Sequence, residues 1–222
     1  MRFTDRRQAG AQLAEAIAAL APRDPVVYAL PRGGVPVGYE VAQVLGCPLD
    51  VVLVRKLGVP GHPELAMGAL AEGGVTVWNE DLIEMIGIGD AEIAAVVERE
   101  TVTLARQAEA FRPAGLERIE PVGRTALIVD DGLATGATAL AALDALREEG
   151  AAEVWVCVPV GPRDTSEAMR KVADQVVVVY TPPRFGAVGA WYQDFSQVED
   201  HEVQDLLREA RLRFRPSPEE DS

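Results

Sequence analysis

Lysine is almost missing from this chain. Nineteen of its 21 basic residues are arginine, and the two lysines are Lys56 and Lys171. A lysine placed where arginine is the habit invites a chemical reason, although a coding bias explains the scarcity as well. Positive charge is short altogether: 21 basic residues face 35 acidic ones, a net charge of −14. That balance disfavours general binding to nucleic acid or to an anionic membrane surface. Cysteine is limited to Cys47 and Cys157. Their spacing suggests no zinc site, and both read as inert reduced thiols packed as small hydrophobes. No stretch approaches the roughly 20 apolar residues of a membrane helix. Met1 to Arg7 lacks the apolar core of an export signal. The expected location is the cytoplasm.

What is present describes an α/β domain. A chain of 222 residues, 48% of them apolar, can bury most of its unfolded surface without a disulfide staple. Residues 5–20 read as an amphipathic helix with Leu13, Ile17 and Leu20 on one face. Val26 to Leu30 is a short apolar run bounded by turn residues, hence a buried strand. A loop at Pro31-Arg32-Gly33-Gly34 precedes a helix over about 36–45. Leu49 to Arg55 reads as a second buried strand. Lys56 to Pro63, with Gly58, Pro60, Gly61 and Pro63, reads as an exposed loop. Residues 65–71 and 75–78 form a hairpin joined at Gly73-Gly74, and 80–111 are helical with a break at Gly87-Ile88-Gly89. Three further strands are expected at Thr125–Val129, Val154–Val160 and Gln175–Tyr180, with helices at about 137–149, 164–173 and 199–214. The expected fold is an open, mostly parallel sheet flanked by helices, with an antiparallel hairpin annex.

The chemistry concentrates between Ala126 and Thr138. A buried strand, Ala126-Leu127-Ile128-Val129, runs into Asp130-Asp131. A loop with Gly132, Ala134, Thr135 and Gly136 follows and opens a helix at Ala137-Thr138. Ligands of open α/β sheets bind at the carboxyl ends of strands, and the free N–H groups of a helix N-terminus favour an anion. Two carboxylates on the strand side would repel a phosphate but suit hydroxyls or a divalent cation. A sugar phosphate satisfies both halves. No Gly-Lys-Thr/Ser occurs, which excludes the nucleotide-triphosphate loop. A Gly-x-x-x-Gly turn capped by carboxylates also occurs as plain structure.

The segment Leu127–Thr138, an apolar strand, two acids and Thr-Gly-x-Thr, resembles the phosphoribosyl-pyrophosphate signature of the type I phosphoribosyltransferases. Leu30-Pro31-Arg32-Gly33-Gly34 resembles the pyrophosphate loop of that family. Arg55-Lys56 opens the Gly/Pro loop where the family carries its mobile catalytic loop. The resemblance covers roughly residues 25–180. It is nearest to a bacterial branch whose members begin with an Asp-Arg-Arg-type helix. Those members also carry motifs seen here as Phe185–Gly189 and Asp194–Gln197.

The resemblance implies one phosphoribosyltransferase-like domain over 1–215. Its core would span about 25–180, with a hood over the base built from 1–24 and 181–215 and a frayed acidic tail at 216–222. Asp130 and Asp131 would hold the ribose hydroxyls. Ala134, Thr135, Gly136, Ala137 and Thr138 would hold the 5′-phosphate. Arg32 and the Gly33 backbone would meet the pyrophosphate, often across a strained peptide bond. Arg55 and Lys56 would neutralise it as it departs. Mg²⁺ would bridge pyrophosphate and ribose with no direct protein ligand. The partners implied are 5-phosphoribosyl-1-pyrophosphate and a base-like acceptor, in nucleotide metabolism, on a homodimer. Family members acting on 6-oxopurines carry an acid where Ala134 stands, so the hypoxanthine/guanine reading loses weight. Five of the twelve aromatic residues fall in 180–195. Phe185 and Trp191 are candidates for stacking on a base, the alternative being that they pack the C-terminal helix. His62 reads as a plain loop histidine.

Two other readings stay open. One is a non-catalytic regulator that senses phosphoribosyl pyrophosphate. The other is an acid-pocket phosphotransfer protein, which would want an Asp-x-Asp pair or a separate phosphoacceptor with a lysine. Asp130-Asp131-Gly132 has neither.

Overall fold

The computed structural model describes residues 2–112 and 116–214. Helix α1 (Arg6–Ala18) leads into β1 (Pro25–Ala29), α2 (Gly34–Leu45) and β2 (Leu49–Val51). The chain then leaves this sheet for β3 (Val54–Val59), β4 (His62–Ala71) and β5 (Thr76–Trp78), followed by α3 (Glu80–Ile86) and the long α4 (Asp90–Phe111). It returns through β6 (Thr125–Val129), α5 (Ala137–Glu148), β7 (Glu153–Val160), α6 (Arg163–Met169) and β8 (Gln175–Tyr180). A 3₁₀ turn (Val188–Trp191) and α7 (Asp200–Arg213) finish it.

The main sheet has the order β2-β1-β6-β7-β8, every neighbour parallel. Its strands are continuous runs of Val, Ile and Leu because helices cover both faces. Helices α1, α2 and α7 contribute Leu13, Ile17, Val41 and Leu206 to one buried layer, and α5 contributes Leu143 and Leu146 to the other. Each such side chain contributes roughly 1.5–3 kcal/mol on burial. Both cysteines are free and buried, and burial pushes the Cys47 thiol up to about 12 and Cys157 higher still.

The order of the strands fixes where a ligand fits. From β1 the chain steps to β2 on one side, and later to β6 on the other. Ala29 and Val129 are in register at the adjacent carboxyl ends of β1 and β6. That reversal opens a crevice between the two loops that follow these strands.

Three expectations from the sequence need correction. Leu49–Arg55 is not one strand. Pairing with β1 ends at Val51, and from Val54 the chain pairs with β4 instead. Lys56–Pro63 is a hairpin rather than an open loop. Leu57 and Val59 are buried, Gly58 falls at a register shift and Pro60-Gly61 form the turn. The annex is therefore a three-stranded antiparallel sheet. Leu20 lies beyond the end of α1 and is exposed. The proposed tail at 216–222 lies outside the described residues.

Candidate functional site

The acid pair stands where β6 ends, and its environment is strongly desolvating. Asp130 is half-buried and accepts a hydrogen bond from the Asp131 N–H at 2.8 Å. Burial, reinforced by the neighbouring Asp131, pushes the Asp130 carboxyl well above the usual carboxylate range. Burial raises Asp131 too, and Arg6 pulls it back. Arg6 reaches from the first turn of α1: its Nε meets Asp131 Oδ2 at 2.9 Å. Another guanidinium nitrogen of Arg6 donates to the Ser196 carbonyl at 2.7 Å. The same group lies 4.0 Å from the centroid of the Phe195 ring.

The two chain ends build this arrangement together. Phe3 pairs with Tyr192 as an isolated bridge, and its N–H donates to the Trp191 carbonyl at 2.8 Å. The Tyr192 hydroxyl donates to the Asp131 carbonyl at 2.5 Å. The segment after the 3₁₀ turn therefore clamps the Asp131 backbone while α1 clamps its side chain.

The loop from Gly132 to Gly136 leaves polar groups available. Gly136, at φ +79°, sits at the N-cap of α5 without a side-chain cap. Thr135, Ala137 and Thr138 are exposed. The Ala134 carbonyl is held by the Thr165 hydroxyl of α6 at 3.0 Å, which fixes the loop to its scaffold. Across the crevice the Pro31–Arg32 peptide bond is cis. Arg32 pairs with Asp200 at 2.6 Å, both side chains being nearly half exposed.

The annex brings its cations to the same side. Arg55 donates to Glu100 of α4 at 3.0 Å, and Arg99 holds the other oxygen of Glu100 at 3.1 Å. Burial alone would raise Glu100; the two arginines outweigh it and lower it. Lys56 lines a cavity of about 880 Å³ with Arg55, Arg99 and Thr138.

The loops converge on two adjoining cavities. One, of about 160 Å³, is lined by Pro31, Arg55, Gln107 and Thr138. The other, of about 520 Å³, is lined by Arg6, Pro31, Arg32, Gly33, Gln107 and Asp131, with Phe195 at its edge. Pro31 and Gln107 belong to both. A path thus runs from the acid pair, past the arginine loop, to the threonine at the start of α5.

Phe185 and Trp191 lie elsewhere. Trp191 Nε1 donates to the Phe185 carbonyl at 2.9 Å, and its ring stands edge-on to Tyr180 at 5.4 Å. Both pack, half-buried, on a small apolar cluster with Phe3, Ala9, Val160 and Tyr192. His62 is exposed at the annex turn. Among the residues that line the acid-pair cavity, sequence reasoning passed over Arg6, Gln107 and Phe195. Arg6 and Phe195 fall inside the Asp-Arg-Arg and Asp-Phe-Ser-Gln segments already singled out, which was the available signal. Gln107 had none.

Similarity to known proteins agrees with this geometry. Two Mycobacterium tuberculosis proteins, from strains CDC 1551 / Oshkosh and H37Rv, carry names that provisionally make them phosphoribosyl transferases. Each is 49% identical over 212 residues, covering 96% of this chain and 48% of the relative. The chain thus spans about half the length of the curated relatives it matches. The crystal structure of TT1426 from Thermus thermophilus superposes with a TM-score of 0.87 at 44% identity, covering 94% of this chain and 99% of that one. The family model of the phosphoribosyl transferase domain matches residues 5–188. Because that match takes in Arg6, both loops of the crevice and the strands that carry them, the chain belongs to the phosphoribosyl transferase domain family.

Proposed function

We propose that this domain transfers phosphoribose from 5-phosphoribosyl-1-pyrophosphate to a nitrogenous base or related acceptor, in the presence of Mg²⁺, and releases pyrophosphate. The observation that carries the reading is the shared lining of the two cavities. Loops about a hundred residues apart in sequence present Asp131 at one end, Thr138 at the start of α5 at the other, and Arg32 and Arg55 between. A sugar that bears a 5′-phosphate, free hydroxyls and an anionic leaving group calls for those three kinds of partner.

In this reading Asp130 and Asp131 accept from the ribose hydroxyls. The N–H groups from Ala134 to Thr138, with both threonine hydroxyls, take the 5′-phosphate. Arg32 and the Gly33 backbone meet the pyrophosphate. As the C1′–O bond breaks, negative charge grows on the leaving group, and Arg55 and Lys56 face it. Cations preorganised toward developing charge are usually the largest catalytic term. The C1′–N bond then forms and the acceptor gives up its proton.

Arg32 and Arg55 are each held by a carboxylate. The Arg32–Asp200 pair is nearly half exposed, and such pairs contribute only about 0–1 kcal/mol, so a polyanion can exchange for Asp200 at little cost. Glu100 is buried but keeps Arg99 as a partner when Arg55 turns to a ligand. Among the described residues no cluster of three or more His, Cys, Asp or Glu side chains is arranged to hold a metal. Asp131 is already occupied by Arg6. A magnesium ion that enters with the substrate would polarise and orient the leaving group.

The test is pyrophosphate release from phosphoribosyl pyrophosphate against a panel of bases, with Mg²⁺ and with chelator. Release with one acceptor, lost on chelation, is expected. Magnesium-dependent thermal stabilisation by phosphoribosyl pyrophosphate with no release for any base would instead make the domain a sensor. Neither stabilisation nor release would overturn the assignment.

A further inference from the structure

Among the described residues, Arg6 is the one cation that touches the acid pair directly. We infer that Arg6 is a positioning residue for this site: it holds the Asp131 carboxylate charged and aimed into the crevice, so that the pair presents one free and one compensated acid to the ligand. The inference rests on the ribose-binding reading of the pair given above.

The geometry makes Arg6 more than a surface contact. Its side chain and that of Asp131 are only 12% and 14% exposed. Three fixtures define the guanidinium: the carboxylate, the Ser196 carbonyl and the Phe195 ring. Phe195 in turn packs on Tyr192 at 5.1 Å between centroids. A planar, always-charged fork suits such a three-sided socket, which a flexible ammonium does not fill. Gly33 packs against the pair itself, since a Cβ there would lie 2.0 Å from Asp131 Oδ2 and 3.3 Å from Arg6 Nε.

Two adjacent, largely desolvated carboxylates resist being ionised together. The charged and titratable groups facing Asp131 are Asp130 on its own strand, Arg6 from α1, the Tyr192 hydroxyl on its backbone, and Arg32 across the cavity. Asp194 stands near Arg6 on the outer side. Among the described residues, only Arg6 makes a charged contact with the carboxylate. Its removal leaves the pair to share a proton, and ribose hydroxyls then lose a charged acceptor at neutral pH. The sign follows: losing Arg6 moves the ionisation of the pair upward, so binding at neutral pH weakens and recovers in alkali.

The experiment uses the full chain and two readouts. In the first, the carboxyl ¹³C shifts of Asp130 and Asp131, assigned with single Asn variants, are followed against pH. The wild type is compared with Arg6→Gln and Arg6→Lys. The midpoint should rise by at least about one pH unit in Arg6→Gln, a tenfold change in proton affinity, and stay near wild type in Arg6→Lys. An unmoved midpoint in Arg6→Gln overturns the inference whatever ligand the protein takes. In the second, ribose 5-phosphate affinity is measured by calorimetry at pH 7 and pH 9. Arg6→Gln should bind more weakly at pH 7, by the fraction of the pair that its raised midpoint leaves protonated there, and approach wild type at pH 9. A deficit equal at both pH values means that Arg6 only packs α1, and overturns the inference. Should Arg6→Gln fail to fold, Arg6→Lys decides. An unchanged midpoint with weakened binding supports the socket, and unchanged binding removes it. A wild type that binds no ribose 5-phosphate sinks the proposed function, while the titration still judges Arg6.

Discussion

A Cβ atom at Gly33 would stand 2.0 Å from Asp131 Oδ2 and 2.7 Å from Asp131 Cγ. The arginine loop and the acid pair, 98 residues apart in the chain, are therefore in mutual contact, and the glycine is there to allow it. Gly33→Ala must push Asp131 aside and strain its pair with Arg6. The expected cost is about 1–3 kcal/mol, the usual range for overpacking a tight site. Stabilisation by phosphoribosyl pyrophosphate with Mg²⁺ should largely vanish. Thermal melts with and without ligand check this, and a shift as large as wild type would mean the carboxylate position is immaterial.

Asp130 yields a prediction about pH and stability. Its folded pKa is raised, chiefly by burial and then by Asp131. A raised acid contributes stability that is present below its unfolded pKa, near 3.9, and lost as pH rises through the folded value. Asp130→Asn removes that penalty. The variant should gain stability over wild type at neutral pH, with the advantage shrinking as pH falls toward 4. Glu100 and Asp174, which are lowered, act in the opposite sense in both proteins. The quantity to measure is therefore the difference between the two in urea unfolding across pH. A difference independent of pH would contradict the assignment. The same variant should bind phosphoribosyl pyrophosphate poorly, so stability and ligand affinity move in opposite directions.

The parallel sheet was legible because its strands are short apolar runs punctuated by Pro, Gly and Asp, local signals that need no partner to be read. Strands β6 and β8 fall on their expected bounds. The hairpin of β3 and β4 was not legible. Gly58, Pro60 and Gly61 read as loop residues, and only burial of Leu57 and Val59 against the core turns that stretch into strand. The acid pair and the threonine loop announce themselves because strand, acids, loop and helix are contiguous. Arg6 does not: its partner lies 125 residues away, and nothing in an amphipathic helix tells which arginine turns inward. The aromatic residues show the same limit. Composition draws attention to Phe185 and Trp191, while Phe195 is the ring beside the acid pair.

The annex cations separate binding from turnover. Lys56 stands in β3 opposite Ala69 and borders the same cavity as Thr138. If it meets charge that grows only as pyrophosphate departs, Lys56→Ala should lower the turnover number by roughly 10²-fold, the scale of losing one electrostatic stabiliser. Affinity for phosphoribosyl pyrophosphate should change much less. Lys56→Arg should restore only part. Single-turnover rates beside calorimetric affinities for the same variants decide it, and equal losses in both would reduce Lys56 to a binding residue.

The phosphate loop needs a test that spares its backbone. Gly136 is unsuitable, because at φ +79° any side chain is strained, and a Cβ there would also meet Thr165 Cγ2 at 3.0 Å. A loss of binding in a Gly136 variant would report on folding as much as on the ligand. Thr138 is the better position. It is exposed, in the first turn of α5, and lines three neighbouring cavities. Thr138→Val removes the hydroxyl, keeps the shape and leaves the main-chain N–H in place. Surface substitutions of this kind usually change stability by less than about 0.5 kcal/mol, so the fold is a controlled variable. A hydrogen bond to a charged group contributes about 1.5–3 kcal/mol. Ribose 5-phosphate binding should therefore weaken by roughly 10- to 150-fold, and free ribose, which lacks the phosphate, should be unaffected. Calorimetry with both sugars, on a variant whose melting temperature matches wild type, gives the answer. Equal weakening for the two sugars would place the hydroxyl at the ring rather than the phosphate. No weakening for either would remove Thr138 from the site.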